Sequence, residues 1–168
     1  MPIVQKPASG GGTTIGIISL PPTTSLIDPT ELSNDTLTSL GFDPLNLPDP
    51  LTYPKGMAVS LIDDSNGNLV LAPTDLSSNE SNFIGFLALA TLSDSTTVSV
   101  TTIRGSETTI FGVTTDTFTQ GDQLFLSETV GRVTTSPPTT GNKNIIRVGF
   151  CISSTKFIIN TDVRIYQV

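Results

Sequence analysis

The sequence predicts an all-β fold, a compact barrel or sandwich built from an internally duplicated β-unit and preceded by an extended N-terminal arm. Three observations carry this. First, Gly56-Met-Ala-Val-Ser-Leu61 reappears, loosely rewritten, as Gly121-Asp-Gln-Leu-Phe-Leu126. Second, the likeness continues in order: Gly67-Asn-Leu-Val-Leu-Ala-Pro73 answers to Gly131-Arg-Val-Thr-Thr-Ser-Pro137 and Phe83-Ile-Gly-Phe-Leu-Ala-Leu89 to Arg147-Val-Gly-Phe-Cys-Ile-Ser153, both 64 residues on. A fourth pair, Thr97-Val-Ser-Val-Thr101 and Lys156-Phe-Ile-Ile-Asn160, follows at a spacing of 59. Third, nine of the twelve prolines fall at or before Pro54, so the chain divides there. The division gives an arm over 1–54 and a duplicated domain over 55–168, with copies at about 56–103 and 121–160. Two copies make one domain rather than an open solenoid, which needs three or more units.

Taken in order, the arm cannot be a regular sheet domain, because proline removes a ladder donor and fixes φ. Pro21-Pro22, Asp43-Pro44 and Pro48-Asp-Pro50 enforce extended or turning chain. Two islands read as ordered. Thr13–Leu20 is β-prone, and Asp28 to Gly41 is a short helix with Asp28 as cap, Pro29 at its first position, Glu31 completing a capping box and Gly41 as a left-handed stop. The arm also carries large aliphatics in short groups, unlike a flexible linker. Those groups must pack on the C-terminal domain, on a sister subunit or on another protein.

From Gly56 onward, runs of Val, Ile, Leu, Phe and Thr alternate with turn residues and read as strands. They span Met57–Ile62, Leu69–Ala72, Phe83–Leu92, Thr96–Ile103, Thr108–Val113, Gln123–Ser127, Arg132–Thr135, Ile145–Ser153, Lys156–Asn160 and Val163–Gln167. Asn66-Gly67 marks a hairpin, with both residues tolerant of positive φ, and Val130-Gly131 is its counterpart. Gly85 and Gly149 hold equivalent places between apolar residues, as glycines do at a bulge or close backbone approach.

Composition narrows the chemistry. Histidine and tryptophan are absent, and the formal charge is -7. Without imidazole there is no His-assisted nucleophile and no His metal ligand. Eight basic residues spread from Lys6 to Arg164 without clustering, which argues against nucleic-acid binding. No run approaches the roughly 18 apolar residues that span a bilayer, so no membrane partner is expected. Cys151, between Phe150 and Ile152, reads as a small buried hydrophobe. Asp63–Asn68 does not fit a calcium loop, since its sixth position is Asn68 rather than Gly and no Glu stands at the twelfth. No carboxylate pair is singled out among Asp94, Glu107, Asp116, Asp122 and Glu128. The threonine pairs suit the wet face of a sheet. No enzyme activity, cofactor or metal is expected.

The ordered set Gly-Met-Ala-Val-x-Leu (56–61), Gly-x-Leu-x-Leu-Ala (67–72), Ile-Gly-Phe (84–86), Phe-Thr-x-Gly-Asp-x-Leu-x-Leu-Ser (118–127), Gly-x-Val-Thr-Thr-x-Pro-Pro (131–138), Val-Gly-Phe (148–150) and Ser-Ser-Thr-Lys-Phe-Ile-Ile-Asn (153–160) resembles a β-domain of tailed-bacteriophage virion proteins. It is similar to capsid decoration (cement) proteins and to tail- and head-fibre modules. The resemblance covers about residues 55–168 and implies a non-enzymatic, trimeric virion component made in the bacterial cytoplasm. The arm has no such match. A long apolar-studded arm suits a cement protein that grips several subunits of the major capsid protein through avidity. On that expectation Ile15, Ile17, Ile18, Leu20, Leu26, Ile27, Leu32, Leu37 and Leu40 contact the shell or a neighbouring protomer at the capsid surface. The alternative is a fibre or baseplate module that binds host glycan through loops 75–82 and 137–144.

Overall fold

Short runs of β-branched, aliphatic and aromatic residues pair into sheets wherever turn residues let the chain reverse. A computed structural model describes residues 17–19, 25–77, 82–112, 117–139, 144–160 and 166–167, of which 17–19, 144 and 166–167 are given by their backbone alone. In chain order come β1 (Ile17–Ser19), β2 (Ser25–Leu26), a 3-10 turn (Pro29–Glu31), α1 (Asn34–Leu40), β3 (Thr52–Tyr53), β4 (Ala58–Asp63), β5 (Leu69–Pro73), β6 (Phe83–Leu87) and β7 (Thr91–Leu92). Then follow β8 (Ser99–Thr101), β9 (Glu107–Thr109), β10 (Gln123–Leu126), β11 (Val133–Thr134), β12 (Asn144–Ile145), β13 (Arg147–Ser153), β14 (Lys156–Ile159) and β15 (Tyr166–Gln167). Among the described residues the fold is all-β around one short α-helix.

A six-stranded sheet runs β1-β8-β6-β4-β5-β2, and a five-stranded sheet runs β11-β10-β13-β14-β9. Within them β8-β6-β4-β5 and β14-β13-β10-β11 follow one order, so the duplication of sequence is a duplication of structure. The register repeats too. Val59 lies opposite Gly85 and Leu124 opposite Gly149, and each ladder slips immediately afterwards, at Val59/Ser60 and at Leu124/Phe125. Gly56 N–H donates to Leu87 O at 2.8 Å and Leu87 N–H to Met57 O at 2.9 Å; Gly121, Cys151 and Asp122 make the same pair of bonds.

Two details differ from the sequence reading. Thr101 lies opposite Phe86 as Ile158 lies opposite Phe150, so the fourth pair is spaced by 57 residues rather than 59. Each unit also has a fifth strand, since β1 pairs with β8 as β9 pairs with β14. The first unit takes that edge strand from the arm, and the chain between β1 and β4 is an insertion into the unit. The arm's prolines flank its strands rather than interrupt them, and β2 lies parallel to β5 at a sheet edge.

The helix expected from Asp28 to Gly41 is split. Asp28 caps only the 3-10 turn, Leu32 leaves helical geometry at φ −85° and ψ 145°, and Ser33 caps α1 anew by accepting from Thr36 N–H. Gly41 stops the helix at φ 92°, as expected. In the β4–β5 hairpin Gly67 is left-handed and Asn66 is not.

Away from its Leu61–Leu69 end, the first sheet is buried on both faces. On one, Val59, Leu71, Leu87 and Val100 form a core with Leu26, Ile27, Leu40, Leu51 and Tyr53 of the arm. On the other, Ala58 and Phe86, with Leu76, close a second core over Leu124, Leu126, Val133, Val148 and Phe157. Phe86 meets Phe157 edge-on at 5.0 Å. A ring of three backbone bonds locks this junction: Ala58 N–H to Gly131 O, Gly131 N–H to Thr74 O and Thr74 N–H to Ala58 O, at 2.9, 2.8 and 2.9 Å. The buried hydroxyls of Ser60 and Thr74 satisfy one another at 2.9 Å. Cys151 lies in the second core, where burial first and Asp122 second push its thiol up, so it stays protonated.

A Cβ on Gly85 would lie 2.5 Å from Thr101 O, and one on Gly149 would run into Ile158 O. Gly149→Ala is therefore expected to cost roughly 1–3 kcal/mol through overpacking. Gly67→Ala, where the added atom meets open space, costs only left-handed strain of about 1 kcal/mol. Denaturant midpoints check the order, and equal losses would refute the close-approach account.

Candidate functional site

The nine residues expected at an external interface have different fates. Ile15 and Leu20 lie outside the described residues. Ile17 and Ile18 belong to β1, opposite Thr101 and Val100. Leu26, Ile27, Leu37 and Leu40 are 2–5 % exposed, and half-buried Leu32 packs on the same cluster. The described part of the arm thus folds back on its own domain, with Leu26, Ile27, Leu37 and Leu40 buried there and Leu32 half-buried.

Specific bonds hold it there. Ile27 N–H donates to Leu71 O at 2.9 Å, and the buried Tyr53 hydroxyl donates to Ile27 O at 3.0 Å. Burial first, and the Asp28 charge second, push the Tyr53 phenol well up, which keeps it a donor. Ser93 and Leu51 exchange two bonds, from Ser93 N–H to Leu51 O and from Leu51 N–H to Ser93 Oγ. Glu31 Oε2, which sequence reasoning assigned to a capping box, accepts from Ser65 N–H at 2.8 Å and pins the 3-10 turn to the β4–β5 hairpin. At the other end Arg132 Nη2 donates to Ser39 O near the C-terminus of α1, at 2.7 Å, and the guanidinium lies 5.3 Å from the Phe111 ring centre.

Between the folded arm and the first unit runs an open groove of about 740 Å³. Its lining carries the carboxylates of Asp28, Glu31, Asp49, Asp64 and Asp94, hydroxyls including those of Ser93, Ser95 and Thr96, and no basic side chain. Asp28 is held below the ordinary carboxylate range by its bonds from the Thr30 hydroxyl and backbone N–H. Asp64 is held down in the same way, by the Asn68 side chain and backbone first and by Asn66 second. These groups stay ionised at neutral pH, so the groove suits cationic groups or hydroxyl donors. Its walls come from four stretches, 25–31, 47–51, 64–70 and 93–96, which no local motif joins. Among the described residues no three of His, Cys, Asp and Glu converge as metal ligands, and no helix is long and apolar enough to cross a membrane. Of the two loops read as glycan-binding, 78–81 and 140–143 lie outside the described residues.

Comparison with protein-family models finds no match to the chain, and no curated protein matches it.

Tyr53→Phe removes the donor to Ile27 O from a buried site and is expected to cost roughly 1–3 kcal/mol, read from urea unfolding. Because Asp28 and Asp64 titrate below 3.8 when folded, their contribution is complete above that value and is lost as pH falls through the depressed ones. The melting temperature should hold between about pH 7 and 5 and fall below about pH 4, with Asp64→Asn flattening the fall. A melting temperature that rises on acidification contradicts this.

Proposed function

We propose that the chain is a non-enzymatic structural component of a tailed-bacteriophage particle, a capsid decoration protein that stabilises the head shell. It is made in the bacterial cytoplasm, acts as a homotrimer and binds the major capsid protein at the capsid surface. One observation carries the reading: the glycines that define the virion-domain resemblance hold matched structural positions in two units of identical strand order, as Gly85 and Gly149 do at their paired ladder slips. The duplication makes a rigid building block whose described carboxylates Asp28, Asp43, Asp64 and Asp122 brace nearby backbone N–H groups. Leu26, Ile27, Leu37 and Leu40 serve the chain's own core, so the shell anchor is assigned to residues 1–16, which precede β1 at the sheet edge.

Removing the whole arm would strip the first core, so the test removes residues 1–16 only. The full chain should co-sediment with undecorated phage heads, and the shortened chain should stay in the supernatant with an unchanged circular-dichroism spectrum. Failure of the full chain to bind heads would sink the capsid assignment. The acidic, hydroxyl-lined groove favours a second reading, a fibre or baseplate module for host glycan; binding to host cells that is lost with Asp94→Asn would select it.

A further inference from the structure

The two units share strand order but not surroundings, and the difference defines two complementary faces. Within the chain the first unit docks on the second through Gly56, Ala58 and Phe86. A Cβ on Gly56 would run into Thr109 O, Ala58 N–H bonds Gly131 O, and Ala58 and Phe86 are fully buried. The receiving side chains Leu126, Val133 and Val148 are sealed by this contact, at 1, 3 and 0 % exposure.

Each of these residues has a counterpart in the other unit that lacks such cover. Gln123 lies opposite Phe150 as Ala58 lies opposite Phe86. Gln123 is exposed, Phe150 is 38 % exposed, and nothing lies within 4 Å of a Cβ on Gly121. The counterparts of the receiving residues are Leu61, Leu69 and Ile84. Leu69 is 50 % exposed and the other two are half-buried, around a groove of about 430 Å³ that Ile62, Asp63 and Phe83 help to line. Gly67, counterpart of Gly131, faces open space. The arm seals the Val59–Leu71 part of this sheet face and covers the Leu61–Leu69 end only in part, with Leu69 left half exposed.

We infer that the chain associates head to tail with copies of itself, the Gln123–Phe150 face of one copy seating in the Leu61–Leu69–Ile84 groove of the next. The contact repeats between chains the packing that Ala58 and Phe86 make within one. The two faces belong to different units, so the contact is heterologous; it propagates from copy to copy and closes into a ring when the rotation allows. Self-association of this kind does not depend on the virion assignment.

Light scattering on the purified chain at micromolar concentration should give a mass that is a multiple of 17.7 kDa. Phe150→Arg and Leu69→Asp should each reduce it to a single chain with an unchanged circular-dichroism spectrum. Mixed, the two variants should form a complex of one copy of each and no larger, because each supplies the face that the other lacks. Leu45→Asp, at a side chain 89 % exposed and outside both faces, keeps the wild-type mass. If Phe150→Arg loses the folded spectrum, Gln123→Arg takes its place as the donor-face variant. A single-chain wild type, a folded face variant that retains the wild-type mass, or a mixture without the one-to-one complex overturns the inference.

Discussion

A sheet that is apolar on both faces governs the molecule. In the first unit Ala58, Val59 and Ser60 are wholly buried in succession, so neither side of β4 can face water there. A strand of that kind needs cover above and below. The arm supplies one cover and the second unit the other. With each large aliphatic contributing about 1.5–3 kcal/mol on burial, loss of either cover would remove several such contributions at once. The polar groups at the junction are satisfied by one another, Ser60 by Thr74 and the three backbone amides by their ring of bonds. The apolar faces therefore meet without stranding a donor.

The arm is thus an architectural part of the domain. Its helix is short for independent stability, as isolated helices of fewer than about 12 residues are marginal in water. Tertiary anchors hold it instead: Leu40 in the first core, and the Arg132 bond to Ser39 O. Arg132 comes from the second unit, close to Gly131, where an added Cβ would meet Met57 and Leu40. One turn of the second unit therefore touches both the arm and the first unit.

Much of this was legible in the sequence because the responsible signals are local. Gly41 stops a helix through its own backbone, and Gly85 and Gly149 announce the paired ladder slips by recurring between the same apolar neighbours. Other features depend on partners that no local pattern names. Leu26 and Leu40 could be recognised as needing burial, but the sequence left open whether their own domain, a sister subunit or another protein would cover them. The helix start was misplaced because Asp28 and Ser33 are both competent caps, and the extended backbone of Leu32 decides between them. β1 has only three residues, so its place beside β8 cannot be read from its length or pattern. Phe86 and Phe150 align in sequence, yet one is sealed and the other exposed, since the repeat fixes the strand position and not what lies against it.

The pairing of β1 with β8 also sets an order in time. A chain growing from its N-terminus presents Ile17 long before Thr101 exists, so the edge strand must wait for most of the first unit to be synthesised before it can be zipped in. Contacts so distant along a chain close late and slowly. Ala58 and Phe86 lack their cover until the second unit has also been made, so the older half cannot complete its packing before the younger half leaves the ribosome.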